Sequence, residues 1–209
     1  MATRRRGTPD GTDHSLEIVP LTPERLPDLA ELFGQGGDPR WCWCAWYRVR
    51  NVDFANADAA RHRAILEAAV VEDAGEGRAP GLVAYEGGMC VGWVSLGPRG
   101  DYERLAASRV LAPVDDAPVW SVVCFVVGRR SRGKGVARAL LDAALDYARE
   151  HGASIIEAYP VEVPEGERIA AANAYHGTLS MFERAGFVVV ARRLAPGAKR
   201  PRTIARRVL

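Results

Sequence analysis

Between Pro118 and Gly128 the chain reads Val119-Trp-Ser-Val-Val-Cys-Phe-Val-Val127, nine residues without a charge. A strand with one face in water alternates apolar and polar residues. This run does not, so it predicts a central strand covered on both faces. Gly-Arg-Arg-Ser-Arg-Gly-Lys-Gly follows at 128–135, and then a helix from about Lys134 to His151. Val136, Leu140, Ala143 or Ala144, and Tyr147 form its buried stripe. Arg149 and His151 suit its negative end, and Gly152 its left-handed cap. A buried strand entering a glycine-rich turn at a helix start presents free backbone N–H groups to an anion. Glycines at 133 and 135 let the backbone approach that anion without an intervening side chain.

The turn nearly spells a triphosphate-binding loop. Gly128-x4-Gly133-Lys134 requires Ser or Thr next to hold Mg²⁺, and the next residue is Gly135. No apolar run ending in Asp supplies a second metal ligand, so a diphosphate held without metal fits better than triphosphate hydrolysis. On these residues alone, a plain strand-to-helix turn stays open.

Upstream, Leu16–Leu21 alternates as a first strand. Thr22-Pro23-Glu24 starts a helix running to about Phe33. Asn56, with Asp58 in the first turn, caps a second helix to about Val71. Gly81–Glu86, a Gly87-Gly88 turn and Met89–Ser95 predict a hairpin. Residues 98–117 form a polar insertion with a short helix around Tyr102–Ser108. Downstream come a strand at Ser154–Tyr159, a short helix at Thr178–Ala185 ending at Gly186, and strands at Phe187–Ala191 and Thr203–Leu209.

Composition excludes several classes. The chain has 209 residues, 48% of them hydrophobic, and a net charge of +2. One domain over 16–209 suits that length. The charge is too small to argue for nucleic acid, although Arg4–Arg6 and Lys199–Arg207 are basic clusters. Residues 1–15 lack an apolar run and read as a disordered tail rather than a secretion signal. No stretch approaches the roughly 18 apolar residues of a membrane span, so no membrane partner and a cytoplasmic location are expected. Cys42, Cys44, Cys90 and Cys124 spell neither a disulfide framework nor a metal site, and no metal is expected.

Arg132-x-x-Gly135-x-Ala137, after an apolar strand and before an amphipathic helix, resembles the coenzyme A pyrophosphate motif of the GNAT N-acetyltransferase superfamily. Phe182-Glu-Arg-Ala-Gly-Phe187 is similar to that superfamily's Tyr-Glu-Lys-x-Gly-Phe segment. The order of strands and helices agrees from Leu16 to Leu209. The resemblance implies an α/β fold with a mixed central sheet splayed between two parallel strands, Val119–Val127 and Ser154–Tyr159, flanked by helices. It implies acetyl-CoA as acyl donor, used without metal by a monomer or homodimer. Backbone groups of Phe125, Val126 and Val127 would pair with the pantetheine arm. Backbone amides of Arg132, Gly133, Lys134, Gly135, Val136 and Ala137 would take the pyrophosphate. The implied reaction is transfer of acetyl to a primary amine of a small molecule, antibiotic or amino-acid-like, by direct attack on the thioester.

Two departures bear on catalysis. The family's tyrosine, which commonly gives a proton to the departing thiolate, is Phe182 here. Tyr175 and Ser180 are the nearby hydroxyls that could replace it; water, or no acid at all for so acidic a thiol, are the alternatives. The strand at 119–127 carries no carboxylate, which leaves Glu157 as candidate general base; Tyr159 shares its strand face. The segment Trp41-Cys-Trp-Cys-Ala-Trp-Tyr-Arg48 falls where the superfamily builds its acceptor site. If it is helical, Trp43 and Tyr47 share one face and line the acceptor pocket with Tyr159. Arg48 or Arg50 could then hold a carboxylate bidentately. Core packing of the tryptophans is the alternative. A coenzyme A-binding module without turnover, and a peptide or protein acceptor, also stay open.

Overall fold

Seven strands join in one sheet: β1 (Glu17–Pro20), β2 (Gly81–Glu86), β3 (Met89–Pro98), β4 (Trp120–Val127), β5 (Ile155–Ala158), β6 (Val188–Arg193) and β7 (Arg202–Val208). They were obtained from a computed structural model that describes residues 16–163 and 175–209; the expected tail at 1–15 lies outside these. The spatial order is β1-β2-β3-β4-β5-β7-β6. β4 and β5 run parallel, and the other pairings are antiparallel.

The helices are α1 (Leu26–Gly34), α2 (Pro39–Cys42), α3 (Asn51–Ala55), α4 (Ala59–Gly75), α5 (Glu103–Ala107), α6 (Val136–Glu150) and α7 (Leu179–Glu183). The apolar stripe of α6, including Val136, Leu140, Ala144 and Tyr147, packs on one face of the sheet against Leu82, Val94, Val122 and Ile156. On the other face Leu29, Leu32 and Phe33 of α1, with Leu66 and Val70 of α4, meet Val83, Trp93 and Val126. β4 is therefore covered on both faces, as its unbroken apolar run requires.

A β-bulge sits in the middle of β4. Its register with β3 steps from Leu96↔Val122 to Ser95↔Cys124, leaving Val123 as an extra residue. Such an insertion bends the strand and sharpens its twist. Pairing with β5 ends at the same point, at Val122↔Ala158. Beyond the bulge the two parallel strands separate.

Two helix starts differ from expectation. The first helix opens with a 3₁₀ turn at Pro23–Arg25, and Thr22 makes no side-chain cap. The second is capped by Asp58, whose side chain accepts from the Arg61 amide at 2.8 Å. Asn56 instead closes α3, an element that the weak period of residues 51–55 hides.

Candidate active site

The loop between β4 and α6 has the geometry of an anion cradle. Gly133 and Gly135 lie in the left-handed region, at φ +75° and +85°, where side-chain-bearing residues are strained. A Cβ placed on either would meet no atom within 4 Å, so the space above the loop is open. Gly135 is the N-cap of α6 and no side chain caps the helix. The first intrahelical bond runs from the Ala139 amide to the Gly135 carbonyl at 3.0 Å. The amides before it are free of intrahelical partners by the geometry of any helix start. Uncapped amides, a positive helix end and open volume fit the diphosphate of a coenzyme A ester.

The edge of β4 beyond its bulge is less free than expected. The Phe125 amide donates to the Tyr175 carbonyl at 2.7 Å. Arg132 Nε donates to the Val127 carbonyl at 3.1 Å. The Gly128 amide donates to Val91 of β3, and by strand alternation Val126 faces β3 as well. The gap between β4 and β5 is thus edged by Val123, Phe125 and Val127. Val126 is misassigned as a pairing residue, because its backbone belongs to the sheet.

Tyr175 and His176 project into a cleft of about 840 Å³ beside that gap. The cleft is also lined by Cys124 of β4, by Trp41, Trp46, Tyr47 and Phe54, and by Val110 and Leu111 of the insertion. His176 Nδ1 lies 3.3 Å from the Tyr47 hydroxyl, which accepts from Arg202 Nη2 at 3.2 Å. His176 Nδ1 also lies 3.4 Å from the Val123 carbonyl, to which it can only donate, and this leaves Nε2 as the acceptor nitrogen of the neutral ring. Burial pushes the Tyr47 phenol up to about 12, with Arg202 opposing. Burial, aided by Arg202, pulls the His176 imidazole down to about 4. Both side chains are uncharged at neutral pH. The Tyr175 phenol is also pushed up by burial, against a hydrogen bond from the Asp38 backbone.

The aromatic segment is not one helix. α2 ends at Cys42, Trp43 and Cys44 both take left-handed backbone at φ 46° and 51°, and a 3₁₀ turn covers Ala45–Tyr47. This double reversal separates Trp43 from Tyr47. Trp43 turns into the core, edge-on to Phe33 at 5.4 Å and under Arg63, and does not line the cleft. Trp41 and Trp46, 44% and 43% exposed, take the cleft walls instead. Arg48 is buried with Nη2 on the Pro80 carbonyl. Arg50 pairs with Asp53.

Glu157 and Tyr159 are corrected by burial. Glu157 is 0% exposed and accepts from Arg206 Nε at 2.8 Å, Arg99 Nη1 at 3.1 Å and the Tyr159 hydroxyl at 2.8 Å. A carboxylate so saturated and sealed is a structural hub and no general base. Arg206 also holds Asp115, and Arg99 Nη2 holds the carbonyls of Leu105 and Leu111, so the hub pins the 98–117 insertion to β5 and β7. Tyr159 donates within this network and stacks behind Tyr47 at 6.3 Å. Phe182 is fully buried, edge-on to Phe125 and Phe187 at 6.1 and 5.0 Å. Sequence reasoning missed His176, Arg104 and Arg202, the last hidden within the basic cluster Lys199–Arg207. His176 alone had a signal, being the neighbour of Tyr175.

Among the described residues no group of three His, Cys, Asp or Glu side chains is placed to hold a metal ion, and no helix is long and apolar enough to cross a membrane. The sheet is thus splayed at a bulged parallel pair, with an uncapped helix start at one end of the gap and a cleft beside it. The chain belongs to the acetyltransferase (GNAT) family, whose model matches residues 41–187. Its general activity is accordingly acetyl transfer from acetyl-CoA. The yncA protein of Salmonella typhimurium, solved with its cofactor acetyl-CoA, is similar at TM-score 0.54 and 20% identity over 93% of this chain and 94% of that one. A ribosomal-protein-alanine N-acetyltransferase from Brucella melitensis is similar at 0.53 and 20%, over 92% and 99%. PaiA N-acetyltransferase from Thermoplasma acidophilum, in complex with coenzyme A, is similar at 0.52 and 14%, over 93% and 99%. These identities speak to fold alone. No curated protein sequence matches the chain.

Proposed function

We propose that the protein transfers acetyl from acetyl-CoA to a primary amine of a small molecule seated in the aromatic cleft, by direct attack of the amine nitrogen on the thioester. The observation that carries this reading is continuity. One strand, β4, leads from the anion-ready amides of Arg132–Ala137 past Val127 and Phe125 to Cys124 in the cleft. When bound, acetyl-CoA supplies the activated carbonyl; the chain supplies position and protons.

An attacking amine has to be neutral, and an uncharged His176 lets it approach without repulsion while offering a ring nitrogen to its N–H. We assign Tyr175 the proton that the departing thiolate takes up. Burial keeps that phenol protonated, and it replaces the hydroxyl that Phe182 lacks. A cleft of about 840 Å³ falls within the roughly 300–1,000 Å³ of small-molecule pockets, which favours a small acceptor over a protein surface.

Release of free coenzyme A thiol from acetyl-CoA, followed with small primary amines and with lysine-containing peptides, tests the reading. Turnover with small amines is expected. Turnover with peptides alone would move the acceptor out of the cleft. Thiol release no faster than hydrolysis, in a protein that binds acetyl-CoA by calorimetry, would leave a binding module.

A further inference from the structure

Several buried or half-buried arginines lie in this part of the molecule; Arg48, with its Nε unsatisfied, sits away from the cleft on the Pro80 carbonyl and over the Tyr102 ring, and three others meet carboxylates. Arg99 and Arg206 share Glu157, and Arg78 holds Asp73, Glu76 and Asp101. Arg104 of α5 does not fit this pattern. It is 8% exposed and lines the cleft, yet among the described residues no carboxylate reaches it. Its Nε donates to the Trp46 carbonyl, and its Nη2 is buried with no hydrogen-bond partner. The guanidinium lies over Trp46, 3.6 Å from the ring centroid, and 5.7 Å from that of Phe54. Burial pulls its pKa below the ordinary arginine value, with only Tyr47 acting against this.

Stacking on an indole offsets part of the cost of burying a cation. It does not replace the anion that a buried guanidinium normally meets. The surrounding charges lean to one sign: among the described residues Arg104, Arg202 and Arg50, the last paired with Asp53, line the cleft, with Asp38 as the one carboxylate. Arg104 and Arg202 both act on the Tyr47 phenol, so they converge on one part of the cleft. The walls next to them, Trp41, Trp46 and Phe54, are aromatic.

We infer that the acceptor is an aromatic or apolar amino carboxylate, whose carboxylate pairs with Arg104 while its body packs on Trp41, Trp46 and Phe54. This rests on the cleft being the acceptor site and moves the carboxylate-holding role from Arg48 and Arg50 to a residue of the insertion. A planar guanidinium offers two parallel N–H groups to a carboxylate, which supplies specificity as well as attraction.

Two measurements on the full chain test it. The first compares phenylalanine, phenylalaninamide and phenethylamine as acceptors. Phenylalanine should lead in kcat/KM by at least about tenfold, and Arg104→Gln should erase that lead. Equal rates for the three amines in the unaltered protein would overturn the inference while leaving amine acetylation intact. The second reads thermal shift with phenylacetate against phenylacetamide, which needs no turnover. Phenylacetate should raise the melting temperature of the unaltered protein but not of Arg104→Gln, and phenylacetamide should raise neither. Equal shifts, or none, would overturn it. Arg104-dependent phenylacetate binding without acetylation of any amine would instead sink the transfer reading and spare this one. Arg104→Lys guards against misfolding, since it keeps the charge and should keep part of the preference.

Discussion

The donor side of the cleft is cut from one continuous stretch, β4 through α6, whereas the acceptor side draws its walls from α2–α3, α5, the segment after it, Tyr175–His176 and β7. A continuous stretch needs only local rules to take its shape: a buried strand, glycines at positive φ, an amphipathic helix. A wall assembled from distant segments depends on how each is turned by the rest of the fold. The donor side is also built from backbone amides, which many side-chain changes leave in place. The acceptor side is built from side chains, where one substitution changes the surface.

Trp43 and Trp46 give the sharpest way to break this contrast. Trp43→Ala opens a core cavity and should cost about 3–5 kcal/mol, lowering the melting temperature by roughly 6–20 °C for a chain of this size. Trp46→Ala should do far less to melting and should raise the acceptor KM, leaving acetyl-CoA affinity in place. If Trp43→Ala changed only acceptor kinetics, the aromatic segment would be a single wall and the core assignment would fail.

His176 sharpens the contrast through pH. Its folded pKa, about 4 where an ordinary imidazole has 6.5, lies below its unfolded one, so the unfolded chain binds the extra proton between those limits. Stability should therefore fall as pH drops from 6.5 to 4, by at most about 3 kcal/mol from this group. His176→Gln should flatten that part of a chemical-denaturation pH series. A slope equal to that of the unaltered protein would mean that the imidazole titrates normally and is not buried behind Tyr47.

The smallest effect belongs to the donor side. Gly135→Asp puts a negative charge at the helix start and should weaken acetyl-CoA at least tenfold, about 1.4 kcal/mol by calorimetry. Its side chain enters open space, so melting should move little beyond the strain of a left-handed backbone. Binding should be the same with and without EDTA. Affinity that survives the substitution would remove the diphosphate from the loop.

The donor loop and the strand order could be read from residue patterns because those patterns act over a few residues. The Val119–Val127 run, the Gly87-Gly88 turn and the α6 stripe each state their own burial. Trp43 and Tyr47 could not be placed, since a four-residue spacing has meaning only inside a helix and two left-handed residues intervene. Glu157 looked available because a strand carboxylate is ambiguous until its neighbours are known; Arg99 and Arg206 come from 58 residues before it and 49 after. The role of Arg104 is likewise invisible in a sequence, because it rests on a partner that is missing from its surroundings.

β7 follows β6 in the chain yet lies between β5 and β6. β6 is therefore synthesised before the strand it pairs with, and one side of β5 has no partner until β7 is made. Glu157 must wait for Arg206, and the cleft for Arg202, so neither the hub nor the acceptor wall can close before residues 202–208 are out. In the β1–β4 portion each strand from β2 on pairs with the strand before it in the chain, so none of these waits for a later one. The residues of the anion loop are therefore all made well before Arg202 of the cleft, and until β7 is made a bare strand edge is open to other chains.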